Sequence, residues 1–324
     1  MSFITKNKIA LLTSFFIIFA SASYGFYSHS TTRAWIGNFI VKSFLGDAVI
    51  YLTRNEQSYD KHHVVSKVFN GMPIIVNNQD MCVSRSIRVL GYWERRIGNC
   101  LLRFLKPRQT IVEVGANYGY YTLLMAKAVG PQGKVYTFEA NPDVYKYLEK
   151  TIELNHLKGV VQAKNLAVSD HIFKSWLIYG KENIGGGYIV MPGGKNGETC
   201  ANNNPNCRPI EATTLDINLA HLKNVDLLRM DAEGSEVAIL KSAQHLIDNS
   251  PKIVIIMEWS VETMKQYGNV LSLLNTFQSK GFRFWLIDPI TSQLQEKTKE
   301  EMLSLPHSDV VISRQDVQSM INAA

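Results

Sequence analysis

Long runs of a single charge are missing from this chain, and charged residues of any kind make up only 19% of its 324 positions. The formal net charge of +6 is thinly spread, with no basic cluster interleaved with aromatics. Recognition of nucleic acid through a dense field of Lys and Arg is therefore not expected. Cysteine is scarce as well. Cys82, Cys100, Cys200 and Cys207 form no C-x-x-C pair, which argues against a zinc site. Cys200 and Cys207 bracket a short polar loop; a loop disulfide in an oxidising compartment and two free thiols both fit that spacing. No internal repeat and no low-complexity tract appears, so a solenoid is excluded. What remains is a chain with 46% hydrophobic residues, enough for a full core, and a length that allows one large domain plus an N-terminal extension.

That extension carries one uncharged stretch, Ile9 to Tyr27, behind Lys6 and Lys8. As a helix it would run ~28 Å, enough to cross the hydrocarbon of a bilayer. Its densest part, Ile9 to Ala20, is shorter, and Ala20-Ser21-Ala22 fits a small-x-small cleavage site, so a cleaved signal peptide rivals a retained anchor. Apolar and aromatic residues continue to Tyr27, which favours a single-pass anchor ending at the interface. The preceding lysines then set the N-terminus inside, with the domain across the membrane.

The organisation expected from the pattern is a membrane segment over 1–30, a linker over 31–62, a hairpin and helix over 63–106 packed on the core, and the main domain over 107–324. From His63 to Val89 the sequence looks like short strands, with Asn70-Gly71 as a hairpin turn. A helix opens near Gly91-Tyr92-Trp93-Glu94 and reaches about Leu105, before Pro107. Strands at 110–114, 134–138, 160–168, 225–230, 252–257 and 282–287 then alternate with helices at 121–129, 143–155, 235–249 and 262–280. A closing strand follows at 310–313. Residues 171–210 interrupt the alternation as an inserted β segment with glycine clusters, Gly185-Gly186-Gly187 among them, which read either as a loop over the acceptor or as an ordinary turn. Strands separated by helices imply an α/β fold with a doubly wound, mostly parallel Rossmann-like sheet, carrying an N-terminal β-hairpin/helix extension.

The chemistry is concentrated in Thr110 to Gly119. A β-branched strand runs into Gly115 and Gly119 and then into a helix, and Glu139 ends the next strand. This is how an open α/β sheet makes a nucleoside pocket. The glycines let the backbone approach a ligand, the N–H groups of the helix start favour an anionic group, and Glu139 accepts hydrogen bonds from a ribose diol. The dinucleotide form G-x-G-x-x-G is absent, which weakens the case for a nicotinamide-dependent oxidoreductase. The string Glu113-x-Gly115-x-Asn117-x-Gly119 instead resembles motif I of methyltransferases that use S-adenosylmethionine (SAM).

A wider resemblance adds to this. Gly91-Tyr92-Trp93-Glu94, Val112 through Thr122, Phe138-Glu139-Ala140-Asn141-Pro142, Asn165 through Asp170, Thr214-Leu215-Asp216, Met230-Asp231-Ala232-Glu233-Gly234-Ser235-Glu236 and Met257-Glu258 together look like the FkbM family of methyltransferases. The match covers roughly residues 85–290. It implies a Rossmann-like methyltransferase sheet, SAM as cofactor and methylation of hydroxyl groups on sugars or natural products. Where the family usually carries Lys before the Asp-x-Glu-Gly string, this chain has Arg229-Met230.

Ligands of such sheets sit outside the carboxyl ends of the strands. Cofactor contacts are accordingly expected from Glu94, Glu113, Gly115, Ala116, Asn117, Gly119, Glu139, Ala140, Asn141, Ala167 and Asp170. Glu139 would take the ribose, Asn117 and the glycine turn the methionine end, and Asp170 or Ala167 the adenine edge. Asp231, Glu233 and Glu258 would carry the catalysis, the first two facing the acceptor. Glu236 reads as a helix-start charge, and His156 and His171 as surface residues. No resident metal is expected, although Asp231, Glu233 and Glu258 are hard oxygen ligands of the type a divalent ion takes. Missing motifs narrow the reaction further. No Pro-Pro-aromatic string follows the fourth strand and no cysteine follows a proline, so amino methylation and ring-carbon methylation of nucleic-acid bases are disfavoured against oxygen methylation. A small-molecule or glycan hydroxyl acceptor is thus the expected partner, with a non-catalytic tethered nucleoside-binding module as the rival reading.

Overall fold

In the computed structural model, residues 56–190, Cys200 and 204–322 are described. Nearly all of these residues belong to one compact unit. The apolar N-terminal stretch, the linker to residue 55 and the second glycine cluster at 193–194 lie outside the described residues. Among the described residues no helix is long and apolar enough to cross a membrane.

The expected hairpin is present. Strands β1 (Gln57–Ser58), β2 (His63–Val68) and β3 (Met72–Asn77) form an antiparallel sheet. The turn runs through Phe69, Asn70 and Gly71, all at positive φ, and the Gly71 N–H bonds back to the Val68 carbonyl at 3.0 Å. The strand reading to Val89 fails beyond this point, because Val83–Leu90 is a helix, α1. Its start is fixed by Asp80, whose carboxylate accepts from the N–H of Cys82 and from the hydroxyl of Ser84, a side-chain link that local periodicity does not reveal. The next helix, α2 (Arg95–Leu102), begins after Glu94 and stops short of Leu105.

The main sheet has eight strands: β4 (Thr110–Val114), β5 (Lys134–Phe138), β6 (Val161–Lys164), β11 (Leu227–Met230), β12 (Val254–Trp259), β13 (Arg283–Ile287), β14 (Leu294–Lys297) and β15 (Ser308–Ser313). Their order is β14-β13-β15-β12-β11-β4-β5-β6. The run β12-β11-β4-β5-β6 is parallel, while β15 inserts antiparallel between β12 and β13. The order in which successive strands are added reverses at β4, with β5 and β6 lying to one side and β11 and β12 to the other, and this switch point places a crevice outside the carboxyl ends of β4 and β11. Successive residues of β4 face opposite layers: Ile111 joins one core cluster with Leu123 and Trp285, and Val112 joins the other with Leu228 and Trp259. The hairpin belongs to the first cluster through Ile74 and Val76, and docks on helix α4 (Pro142–Leu154) through Thr151 and Asn155.

Three expected elements are divided. The third strand splits at Asn165-Leu166: β6 stays in the main sheet, and β7 (Ala167–Val168) joins β8 (Phe173–Ile178), β9 (Tyr188–Val190) and β10 (Cys207–Thr213) in a second sheet. The Asn165 amide donates to the carbonyls of Glu139 and Ala140 and turns the chain there. The helix expected over 235–249 becomes α6 (Glu236–Lys241) and α7 (Gln244–Asp248). Between them Ser242 receives the N–H of Leu215 on its hydroxyl and that of Asp216 on its carbonyl, both from the short helix α5 (Leu215–Asn218). The Asp216 carboxylate in return caps the N–H groups of His245 and Leu246, which gives the Thr214-Leu215-Asp216 string a structural purpose. Likewise 262–280 forms α8 (Val261–Met264) and α9 (Val270–Ser279), the second started by the Asn269 side chain. Cys200 and Cys207 are joined by a disulfide, whereas Cys82 and Cys100 are free thiols.

Candidate active site

The first wall of the crevice is the loop between β4 and helix α3 (Tyr120–Val129). Gly115, Asn117 and Gly119 all have positive φ. The N–H groups of Gly115 and Ala116 both reach the Phe138 carbonyl, so the loop is stitched to the end of β5. A Cβ on Gly115 would lie 1.9 Å from the Asp231 carbonyl oxygen, and one on Gly119 would lie 2.8 Å from Leu148 Cδ1. Glycine is therefore required at both positions by the left-handed backbone and by the protein's own packing. The expected reason, room for a ligand, is not what fills that space. No side chain caps α3, so its first-turn N–H groups face the loop mouth with the partial positive charge of a helix start.

Glu139 directly follows β5 and is 8% exposed. Its two oxygens accept the N–H groups of Asn117 (2.7 Å) and Asn141 (2.8 Å). Each keeps a second lone pair, which is what a ribose diol needs. Burial pushes the Glu139 carboxyl up to about 7, against these two backbone hydrogen bonds. Asn141 caps α4 with its side-chain oxygen, while its buried Nδ2 has no partner. An orphan donor beside two half-used acceptors is a polar cradle suited to a nucleoside. Ala140 packs against the small apolar cluster that contains Ala167, so the structure brings these two expected adenine-side residues together. Asp170 lies farther along, exposed, with its carboxylate engaged by His171 at 2.7 Å. The residues present thus fit a nucleoside with an amino-acid end.

The second wall comes from β11, β12 and β15. Arg229, only 6% exposed in its side chain, donates to the Gly115 carbonyl (3.0 Å) and to the Asp231 carboxylate (2.8 Å). It also lies over the Tyr121 ring, 4.2 Å from its centroid. Glu113 is fully buried beneath it. One Glu113 oxygen accepts from Thr122 and Thr137; the other has no hydrogen bond and stands 3.9 Å from the Arg229 guanidinium. Burial raises the Glu113 carboxyl, and Arg229 pulls it back. Glu113 therefore braces the crevice from inside and does not line it.

Around Asp231 stand Glu94, Glu233, Glu258 and Asp309. Glu94 accepts from the Tyr121 hydroxyl at 3.2 Å. Glu233, at φ 53, lies in the turn before α6, and burial followed by the charges of Asp231 and Glu94 pushes it up to about 7. Glu258 and Asp309 face each other across β12 and β15. Burial, then Asp231 and Glu236, push Glu258 up to about 9; burial, then Glu94 and Asp231, push Asp309 up to about 7. Glu236 turns inward at the start of α6, is 1% exposed and accepts the N–H of Ala232 at 2.9 Å, so it serves the turn as expected. Among the described residues no three His, Cys, Asp or Glu side chains are grouped so as to hold a metal ion.

Segment 180–190 of the insertion crosses this region. The Met81 N–H donates to the Glu182 carbonyl, Gly185 lies so close to the Asn117 amide that a Cβ would meet it at 2.3 Å, and the Tyr267 hydroxyl donates to the Ile189 carbonyl. Sequence reasoning placed the carboxylates but overlooked Arg229 as their counter-ion, and also Asn165, Asp309 and His307, whose Nε2 stands 2.7 Å from a Glu258 oxygen. The departure from Lys at position 229 was the one available signal. His307 and Asp309 carry none, because a closing strand brings them in from the far end of the chain.

The family profile described as Methyltransferase FkbM domain matches residues 113–284. A protein-L-isoaspartate O-methyltransferase of Aeropyrum pernix is 35% identical over 57 residues, 18% of this chain and only 22% of that enzyme. Methyltransferase sdnD of Sordaria araneosa is 27% identical over 199 residues, covering 53% of this chain and 73% of its own length. Methyltransferase 1 of Beauveria bassiana is 26% identical over 188 residues, covering 53% and 71%.

Proposed function

Since the chain belongs to the family of FkbM methyltransferases, for which S-adenosylmethionine is the methyl donor, we propose that it methylates a hydroxyl group on a carbohydrate, a glycolipid or another small natural product. The observation that carries this reading is the division of labour between the two walls. One wall offers backbone N–H groups, Glu139 and Asn141; the other offers carboxylates whose proton affinity is raised into the neutral range.

The donor supplies a methyl group on a positively charged sulfur. Everything else falls to the protein. The uncapped start of α3 and the Asn117 turn hold the amino-acid end, Glu139 holds the ribose, and the Ala140–Ala167 patch takes the adenine face. Asp231 and Glu233 accept hydrogen bonds from acceptor hydroxyls and fix the attacking oxygen in line, and positioning of this kind is the larger share of the rate for methyl transfer. The cluster Glu94, Asp231, Glu233, Glu258 and Asp309 disfavours an anionic acceptor and suits a neutral polyol. The apolar N-terminal stretch would tether the enzyme to a membrane in a single pass, with export after cleavage as the alternative.

The test is transfer of labelled methyl from SAM to a panel comprising methyl α-D-glucopyranoside, octyl glucoside, phenol, an amine and a thiol. Label on a hydroxyl compound supports the proposal. Transfer confined to the amine or thiol would overturn it.

A further inference from the structure

The methyl-transfer reading leaves open which group receives the acceptor's proton. We infer that His307, held by Glu258, is the general base of this crevice.

His307 lies just before β15, two residues ahead of Asp309, and its Nε2 stands 2.7 Å from Glu258 Oε1. The two partners are unlike in exposure. The Glu258 side chain is 14% exposed and the His307 side chain 69%. One end of the imidazole is thus fastened to a buried carboxyl while the ring itself remains open to a ligand. Glu258 is placed by the sheet: it lies at the carboxyl end of β12, and Asp231 directly follows its parallel neighbour β11, where ligands of such folds bind. His307 is also near enough to Glu94 to influence that carboxyl. It therefore belongs to the same wall as Asp231 and Glu94, and is not an isolated surface histidine.

An imidazole suits the task better than the carboxylates around it. Those side chains repel one another, so a second full negative charge on that wall is resisted, whereas an imidazole is uncharged before it takes the acceptor's proton. In the reactive form the imidazole is neutral, with its N–H on Nε2 toward the Glu258 carboxyl and Nδ1 bare. The acceptor hydroxyl gives its proton to Nδ1 while its oxygen forms a bond to the methyl carbon. The carbon–sulfur bond breaks and its electron pair stays on sulfur, so the charge lost by the sulfonium appears on the imidazolium. Glu258 acts as a positioning residue that fixes ring and tautomer.

The inference rests on the methyl-transfer reading, and its test separates the two. In the full chain with S-adenosylhomocysteine added, nitrogen-15 imidazole spectra at alkaline pH should show His307 protonated on Nε2, a preference that Glu258→Gln removes. His307→Asn should lower transfer to the fastest hydroxyl compound of the panel ~100-fold or more, with SAM affinity and melting temperature unchanged. The rise of rate with pH should flatten in that variant. Because Glu258, Asp231, Glu94, Glu233, Asp309 and Arg229 all face this region, the flattening must be specific to His307→Asn and not be reproduced by Asp309→Asn. A bare Nε2, or a His307→Asn enzyme that keeps its rate, overturns the base assignment while SAM binding still upholds the methyl-transfer reading. Failure of the wild type to bind SAM overturns both.

Discussion

Replacing Arg229 with Met would remove a cation that is 6% exposed and sits among Asp231, Glu113 and the Gly115 carbonyl. Methionine fills a comparable volume, so the loss is mainly electrostatic. Glu113 would be left fully buried with one oxygen lacking both a hydrogen bond and a countercharge. Breaking one side of a buried pair costs about 3–5 kcal/mol. For a domain of this size that corresponds to a fall in melting temperature of roughly 6–20 °C. The pH dependence follows from Glu113. Burial already raises its folded pKa above the unfolded value, so the native state holds extra proton there, and this stabilising contribution is present at low pH and lost as pH rises. Without Arg229 the carboxyl is raised further. The deficit of Arg229→Met should therefore widen on the alkaline side and shrink on acidification. Arg229→Lys keeps the charge but not the two-armed contact and should lose only about 1–2 kcal/mol. Thermal melts of both variants across pH, together with the Glu113→Gln/Arg229→Met double variant, measure these effects. An Arg229→Met protein that melts with the wild type, or a deficit that does not change with pH, would refute the reasoning.

Other outcomes are expected. Glu139→Ala should weaken SAM binding roughly 100-fold or more by calorimetry, since two hydrogen bonds to a charged acceptor are lost; unchanged affinity would remove Glu139 from the ribose. Gly115→Ala should express poorly or melt far below the wild type, because the new Cβ meets the Asp231 carbonyl oxygen at 1.9 Å on a backbone at φ +83. Glu258 is pushed up to about 9 from 4.5, so its contribution to stability is present at acid pH and drains away between those values; urea unfolding across pH should show a slope that Glu258→Gln reduces. With thiol reagents the native protein should modify Cys82 before Cys100, which is fully buried with its thiol pushed up to about 12.

Much of this molecule was legible along the chain, and the physical reason is locality. The core strands announce themselves because each is a short, mostly apolar run buried on both faces, and the Asn70-Gly71 turn because few residues tolerate two successive positive φ values. The glycine turn, the acid after β5 and the Asn141-Pro142 cap are likewise properties of consecutive residues, so the first wall of the crevice could be outlined before any coordinates. What escaped were features set by side chains reaching across the fold. Asp80 starts α1 where strand was expected, Asn165 bends the third strand out of the main sheet, and Ser242 breaks a helix in order to hold α5. The edge strand β14, Leu-Gln-Glu-Lys, has too little apolar alternation to be seen.

The same division runs through the active site. Sequence alone determined that a glycine loop follows β4 and that a set of acids stands at strand ends, since each is a property of a strand and the few residues after it. Only tertiary structure decided which acids are buried braces and which face the crevice, because burial and countercharge depend on strands far apart in sequence. Glu113 proved to be enclosed under Arg229, and His307 was delivered to Glu258 by an antiparallel strand that inserts late in the chain. Desolvation and charge pairing act through space, and no pattern along the chain records them until the sheet has closed.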